Sequence, residues 1–209
     1  MAVAVLLGAC GGGSSANSNE PAGTYSMRVT NASFPTVQRL GQTTLLRIGV
    51  RNTGRRTIPA LSVTIGVGGK EGEHSSLPFG IRDPQTALAQ PDRPVWVLAA
   101  TYPRLFGSSE PGGASTSNPK TFGFGPLRPG ETREAVWKLS AVRAGEWDLV
   151  YRVNAGLGEQ VKAVTKGGVA PGGSFATEIT AALPETEVTD SGEVVEIRKP
   201  KSKSAPQGE

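Results

Sequence analysis

The amino-acid sequence predicts an all-β protein, a sandwich of seven to nine antiparallel strands. Apolar and polar residues alternate strictly in several segments, which is typical of strands with one face on a core and the other in water. Glycine and proline, 28 and 16 of the 209 residues, are frequent between these segments and mark turns. A helical period is almost absent, so short strands joined by turns favour a sandwich or barrel, of which the sandwich is preferred.

Nine runs are predicted as strands. In chain order they span residues 25–29, 43–52, 61–67, 95–100, 121–124, 135–139, 147–153, 161–164 and 175–179. Asn52-Thr53-Gly54 supplies turn residues that tolerate a positive φ, so we expect the second and third runs to form a long hairpin. Asp83-Pro84 ahead of residues 85–89 is typical of the start of a short helical turn.

Two longer segments, 68–93 and 103–120, interrupt the predicted strands. Loops of this length without their own structure are usually functional or disordered, so a binding site is expected there if the body has one. The first carries Phe79 and Ile81, and the second carries Leu105 and Phe106. Two interpretations stay open, because these apolar side chains either cap an edge of the sandwich or contact a partner.

Four aromatic residues lie around the second insertion, and they have the same two interpretations. They either pack in the core and at its edge, as sandwich cores are filled, or form an exposed patch that binds a partner. These residues are Trp96, Tyr102, Phe122 and Phe124.

The two ends of the chain differ from this body. Leu7-Gly8-Ala9-Cys10, after an apolar run, resembles the lipobox at which bacteria lipidate a cysteine, and a Gly/Ser/Asn spacer follows it. The alternative is a chance cysteine in an apolar segment that has no Lys or Arg before it. The sequence therefore predicts a signal segment at 1–9, a tether at 10–23, a body at 24–183 and a flexible charged tail at 184–209. Val194, Val195 and Ile197 are predicted to add one strand within that tail.

Few residues are available for catalysis. The chain has one histidine, His74, and one cysteine, Cys10, so a cysteine–histidine pair in the mature body, a disulfide and a zinc thiolate site are excluded. Glu71, Glu73 and His74 are close in sequence, but a zinc site needs a further ligand, and a solvated loop is the preferred interpretation. We therefore expect no catalytic residue, no metal and no cofactor.

The charge of the chain is modestly positive, with a formal net charge of +4. Its arginines are scattered along the sequence rather than concentrated on one element, so nucleic-acid binding is not expected. The charge implies only a mild attraction to anionic surfaces of the cell envelope.

Three short motifs carry a resemblance to a known family. They are Leu46-Arg47-Ile48-Gly49-Val50-Arg51-Asn52-Thr53-Gly54, Leu127-Arg128-Pro129-Gly130-Glu131-Thr132 and Ala144-Gly145-Glu146-Trp147. Together they resemble the bacterial CARDB-type immunoglobulin-like domains, and the resemblance implies adhesion or interaction rather than a reaction. At the corner where antibody-type domains have a tyrosine, this chain has Trp147. Its indole N–H is expected to bind a backbone carbonyl; the alternative is that Trp147 only fills the core.

These observations predict a non-catalytic, lipid-anchored binding or adhesion module on the extracytoplasmic face of a bacterial membrane. The expected partners are the membrane, through the lipid on Cys10, and an envelope protein or polysaccharide, although the sequence singles out no partner-binding residue. A passive structural spacer or assembly subunit is the alternative. A carboxylate-dependent hydrolase is a remote third, and it requires Asp83, Asp92 and Glu110 to meet in a cleft.

Overall fold

The computed structural model of the chain describes residues 20–69, 79–81, 94–110, 114–115, 120–157, 160–182, 186–192 and 194–196. Within these residues the protein is all-β, without a helix, and two sheets enclose one hydrophobic core. The predicted fold class, an immunoglobulin-like β-sandwich, is confirmed. Because the described residues contain no helix, none of them forms one long and apolar enough to cross a membrane.

The strands follow one another along the described chain from residue 23 to residue 196. They are β1 Gly23–Ser33, β2 Val37–Arg39, β3 Thr43–Asn52, β4 Ser62–Gly69, β5 Phe79–Ile81, β6 Trp96–Leu98, β7 Arg104–Leu105, β8 Ala114–Ser115, β9 Thr121–Gly123, β10 Thr132–Ala141, β11 Gly145–Asn154, β12 Val161–Val164, β13 Gly172–Thr180, β14 Thr186–Val188 and β15 Val194–Glu196.

The first sheet has the strand order β12-β1-β3-β10-β6-β5, and β7 pairs with β10 beside β6. The second sheet has the order β2-β13-β11-β4-β9-β8. Most pairs are antiparallel, as predicted, but β12, β2 and β5 pair with their neighbours in parallel, and each of them is an edge strand.

The two sheets contain more strands than the seven to nine expected. All nine predicted strands form, and β2, β5, β7 and β8 are added to them. The additional strands have two or three residues each, which is too short for an alternating pattern to show in the sequence. β5, β7 and β8 lie within the two segments expected to interrupt the sandwich. The helical turn predicted at 83–89 lies outside the described residues.

The hairpin predicted between residues 43–52 and 61–67 is wrong. β3 belongs to the first sheet and β4 to the second, so the segment between them crosses one end of the sandwich. Within this connecting segment, Ile58 exchanges two backbone hydrogen bonds with Leu127 and is fully buried. These contacts hold the segment against the core. Asn52 adopts no positive φ; its amide instead donates to Arg56 O and Leu127 O, each at 2.9 Å.

Aromatic rings fill the middle of the core. The rings of Phe122 and Phe124 meet Trp137 edge-on, with centroids 5.9 and 5.6 Å away. Trp96 is fully buried, and its indole N–H donates to the buried Oε1 of Gln38 at 2.9 Å. The core interpretation is therefore confirmed for Trp96, Phe122 and Phe124.

The body begins earlier than the predicted boundary at residue 24. Both carboxylate oxygens of Glu20 accept a hydrogen bond from the backbone N–H of Leu157, at 2.9 and 3.0 Å. The Tyr25 hydroxyl donates to Pro21 O at 3.0 Å. These bonds attach residues 20–23, which were assigned to the tether, to the folded body.

The C-terminal segment also differs from the expected flexible tail. β14 and β15 pair as an antiparallel hairpin, in which Val194 and Val195 lie on a strand as predicted, whereas Ile197 lies outside the described residues. The intervening turn is closed by a hydrogen bond from Gly192 N to Thr189 O at 2.8 Å, and Gly192 has a φ of +80°. The residues of β14 are exposed, so strand pairing and the turn, rather than burial in the core, define this hairpin.

Candidate functional site

An exposed phenylalanine marks the outer surface of the first sheet. Phe106 is 66% exposed, although it directly follows β7 and the half-buried Leu105, which packs on the core. Its backbone N–H donates to Glu134 O on β10 at 2.8 Å. A turn follows in which Ser108 N donates to Leu105 O and Gly107 has a φ of +83°, as glycine readily adopts at this position. The main chain thus holds Phe106 in place while its side chain faces solvent.

The capping interpretation of the second insertion is confirmed for Leu105 and is wrong for Phe106, while contact with a partner stays a prediction. Leu105 covers the core, and Phe106 stays exposed. The sequence could not separate them, because both are apolar neighbours in a stretch without a recognisable period. The pairing of Leu105 with Ala135 on β10 directs Leu105 to the core. Phe106, the next residue, then points to the opposite side.

A fixed arginine lies beside Phe106. The guanidinium carbon of Arg47, on β3, is 5.1 Å from the centre of the Phe106 ring, a cation–π distance. Glu134 accepts a hydrogen bond from Arg47 Nη1 at 3.0 Å and a second from Asn31 Nδ2 at 3.3 Å. Glu134 therefore orients Arg47 with one oxygen while its other oxygen is occupied by Asn31.

A second arginine and ring lie on the same face. Arg104 is opposite Val136 on β10, and Val136 is opposite Arg47 on β3, so the three residues form one row across the sheet. The guanidinium carbon of Arg104 is 4.4 Å from the centre of the half-buried Tyr102 ring. We call Arg47, Phe106, Glu134, Tyr102 and Arg104 the Phe106 patch. The partly exposed Leu45 and the exposed Lys138 flank it on neighbouring strands.

The arginines are less scattered in space than in the sequence. Arg28 on β1 and Arg51 on β3 are directly opposite each other and exposed, at the end of the sheet where β3 finishes. The scatter of arginines along the sequence is therefore not preserved in the folded protein. Strand register brings these residues together, and register is not visible in a local stretch of sequence.

The hypothesis for Trp147 is wrong. Its ring is buried at the end of the core, but its indole nitrogen has no hydrogen-bond acceptor among the described residues. The guanidinium carbon of Arg143 lies 4.7 Å from its ring centre instead. The alternative, in which Trp147 fills the core, agrees with the structure.

Three carboxylates surround a shallow pocket of about 270 Å³ on the second sheet. Glu146 and Glu178 are directly opposite each other on β11 and β13, and Asp148 is two residues further along β11. All three are exposed. Among the described residues, no group of three or more His, Cys, Asp or Glu side chains is arranged to hold a metal ion.

The other residues singled out in the sequence are mostly beyond the described ranges. Glu110 lies in an exposed turn, and its backbone N–H donates to the Ser108 hydroxyl at 3.2 Å. The remaining ones, which fall outside those ranges, are Cys10, Glu71, Glu73, His74, Asp83 and Asp92.

Comparison with known proteins yields similarity in structure only. No protein-family model matches the chain, and no curated protein matches it. Among solved structures, the CARDB domain of the PF1109 protein from Pyrococcus furiosus, described in complex with di-metal ions, is 11% identical. That match covers 74% of this chain and 86% of that domain, with a TM-score of 0.40.

Two further neighbours have comparable scores. The PapD-like domain 7 of human CEP192 is 13% identical, and the match covers 88% of this chain and 99% of that domain at a TM-score of 0.36. An alpha-2-macroglobulin from Salmonella is 14% identical, with 77% of this chain covering 7% of that much longer chain at a TM-score of 0.39. Function has to be inferred from the surfaces of this chain itself.

Proposed function

We propose that this protein is a non-catalytic, lipid-anchored binding module on the extracytoplasmic face of a bacterial membrane. It binds an envelope protein through the Phe106 patch. The observation that carries this proposal is an aromatic side chain that is 66% exposed on a main chain held by hydrogen bonds on both sides. A pre-positioned aromatic residue loses little conformational entropy when a partner covers it.

The composition of the Phe106 patch supports a protein as the partner. Aromatic residues and arginine are enriched at the centres of protein interfaces and carry much of their binding energy. The patch combines Phe106 and Tyr102 with Arg47 and Arg104, whose guanidinium groups are each close to a ring.

The charge of the patch indicates which kind of protein surface it fits. Arg47, Arg104 and the neighbouring Lys138 are positive, while Glu134 is the one acidic residue among them. We therefore expect a partner surface with an apolar pocket for Phe106 and carboxylates around it, because complementary charge favours association and register.

The same geometry favours binding over a reaction. Glu134 is the carboxylate of the patch, and its two oxygens accept bonds from Arg47 and Asn31. The Phe106 patch contains no histidine, cysteine or second carboxylate that could share a proton transfer with Glu134. The arrangement of Glu134 therefore suits the positioning of Arg47 better than proton transfer.

Membrane attachment in this proposal depends on Cys10. Nine residues separate it from Glu20, where the described body begins. Acyl chains on a cysteine at that distance keep the body close to the bilayer, within reach of other envelope components.

The proposal is tested by photo-crosslinking in cells that produce the full-length protein naturally. A photoreactive amino acid replaces Phe106 in one variant and Val169 in the control. Val169, in the β12–β13 loop, is 67% exposed, so the two positions are matched in accessibility. We expect a discrete protein adduct from position 106, none from 169, and loss of the adduct when Arg104→Glu is added.

Three results would contradict the proposal. Equal adducts at both positions indicate non-specific contact, and no adduct at position 106 supports a passive spacer. An adduct that is carbohydrate rather than protein assigns the patch to an envelope polysaccharide.

A further inference from the structure

We propose that one end of the sandwich docks on a bilayer surface of anionic phospholipids. This inference rests on the membrane attachment in the proposed function and adds an orientation to it. The surface that docks, called the arginine end, consists of five exposed arginines, namely Arg28, Arg51, Arg55, Arg56 and Arg128.

The arginine end is where the N-terminal segment joins the body. Arg56 Nη2 donates to the backbone O of Thr24 at 3.1 Å, and its guanidinium lies over the Tyr25 ring at 4.6 Å. Thr24 follows the first residue of β1. Arg56 and the adjacent Arg55 are therefore next to the point where the chain arrives from Cys10.

The other three arginines lie at the same end of the first sheet. Arg28 and Arg51 are opposite each other, one position from the end of β3. Arg128 lies in the turn before β10, and this turn is tied to β3 by a hydrogen bond from Gly130 N to Asn52 O at 3.0 Å. Asn52 also donates to Arg56 O, so one side chain links the segments that carry these arginines.

Two acidic residues that the structure describes at this end are engaged by the fold. Glu20 accepts from the backbone N–H of Leu157. Glu131 accepts from Arg128 N and from Arg133 Nε, each at 2.8 Å. Among the described residues, the five arginine side chains therefore outnumber these two carboxylates, which are already bound to donors of the protein.

Among the described residues, the opposite end of the sandwich has three exposed carboxylates. Glu146 and Glu178 face each other where β11 begins, and Asp148 follows on the same strand. Arg39 and Arg143 also lie near this end. An anionic surface therefore attracts the arginine end and repels the carboxylates, which favours one orientation of the domain.

The length of the connecting chain agrees with this orientation. Ten residue-to-residue steps join Cys10 to Glu20, and a chain of that length spans at most about 36 Å. A lipid on Cys10 thus confines the arginine end to the neighbourhood of the headgroups. A basic surface next to a lipid anchor is a recognised second signal for stable membrane attachment.

The test uses the full-length Cys10→Ala protein, so that docking is measured without the lipid. Co-sedimentation of the protein is measured at low salt with two kinds of vesicle. One kind is phosphatidylcholine alone, and the other contains about 30% of the anionic lipid phosphatidylglycerol. The variant carries Arg28→Gln, Arg51→Gln, Arg55→Gln and Arg128→Gln. Arg56 is left in place because it binds Thr24 and Tyr25.

The matched control removes the same number of charges from the C-terminal basic run, with Arg198→Gln, Lys199→Gln, Lys201→Gln and Lys203→Gln. We expect binding to anionic vesicles only, at least about tenfold weaker for the arginine-end variant and within about twofold for the control. Equal weakening by both variants, or unchanged binding of the arginine-end variant, overturns the proposal. If the fourfold variant does not fold, Arg55→Gln with Arg128→Gln is used, and a loss of at least about threefold is expected, since each charge near the surface contributes up to about 1 kcal/mol. Crosslinking at Phe106 does not depend on vesicles, so failure here is distinguishable from failure of the proposed function.

Discussion

Arg28 and Arg51 lie directly opposite each other on β1 and β3, and both are exposed. Like charges at such a position destabilise a sheet. The repulsion between the two arginines therefore slightly lowers the free energy of unfolding. An anionic surface that covers both arginines removes this repulsion. This relationship connects the stability of the domain with the docking proposed for the arginine end.

Replacing one arginine of this pair should stabilise the domain. We expect Arg28→Thr to raise the free energy of unfolding by about 0.5 kcal/mol at low salt, because the repulsion from Arg51 is lost. The gain should disappear at about 1 M salt, where charges are screened within a few ångströms. Urea unfolding of full-length Cys10→Ala protein measures it. Arg55→Thr, in a loop without a cross-strand neighbour, is the control, and a destabilised Arg28→Thr protein would refute this explanation.

Two buried tryptophans should respond differently to the same substitution. Trp96→Phe leaves Gln38 Oε1 buried without its donor, whereas the Trp147 N–H has no acceptor among the described residues to lose. We therefore expect Trp96→Phe to be more destabilising than Trp147→Phe by about 1–2 kcal/mol. Chemical denaturation followed by circular dichroism compares them. Equal losses would mean that ring volume, and not the hydrogen bond, determines the effect.

Asn52 should be among the most sensitive polar positions. Its amide donates to Arg56 O and Leu127 O, and its Oδ1 accepts from Gly54 N, all at 2.9 Å. Asn52→Ala removes these bonds at a residue that is 1% exposed, so we expect a loss of about 2–4 kcal/mol of unfolding free energy.

The control for this prediction is Asn154→Ala. The Asn154 amide makes one bond to the Thr64 hydroxyl at 3.0 Å and is only half-buried, so about 1 kcal/mol is expected. If the two variants were equally stable, the bonds of Asn52 would not be what holds this end of the sandwich together.

The turn before β10 should make stability depend on pH. Gly130 has a φ of +73° after Pro129, as a type II turn requires. The Arg128 backbone N–H and then the Arg133 side chain hold the pKa of Glu131 below its ordinary value of 4.5. A lowered carboxyl pKa stabilises the fold above the unfolded pKa, and this stabilisation is lost as pH falls through the folded pKa.

We therefore expect Glu131→Gln to lower the unfolding free energy by about 0.5–1 kcal/mol at pH 7, with the difference from wild type shrinking below about pH 4. Urea unfolding from pH 7 down to pH 3 measures this difference. Glu187→Gln, on the exposed strand β14, is the control and should leave the unfolding free energy at pH 7 unchanged. A deficit that is the same at every pH would contradict the assignment.

The interior of the sandwich is the part of the fold that the sequence predicts well. β3 and β12 form over the same residues as predicted, and β11 keeps its inward face of Trp147, Leu149, Tyr151 and Val153 along the strand. Period-two alternation is a local property of a strand that is half buried, so it is visible without any knowledge of neighbouring strands.

The candidate site is different, because it depends on which strands are neighbours. The pairing of the two-residue strand β7 with β10 determines that Phe106 is exposed. Arg47 lies beside Phe106 but belongs to a strand nearly sixty positions earlier in the chain. One signal was available: Arg28, Arg47 and Arg51 each occupy the polar position of an alternating run. Assigning these positions to one outward face requires the register between strands, which the sequence does not specify locally.

The measurement that tests the central claim most directly is intact mass with membrane fractionation, comparing the full-length protein with its Cys10→Ala variant in a bacterial host. The proposal of an anchored envelope module predicts a wild-type chain that starts at a lipid-bearing Cys10 and sediments with membranes. The variant should be unlipidated and either released or retained uncleaved. A soluble wild-type chain of unmodified mass would contradict the membrane anchor and, with it, the orientation proposed for the arginine end.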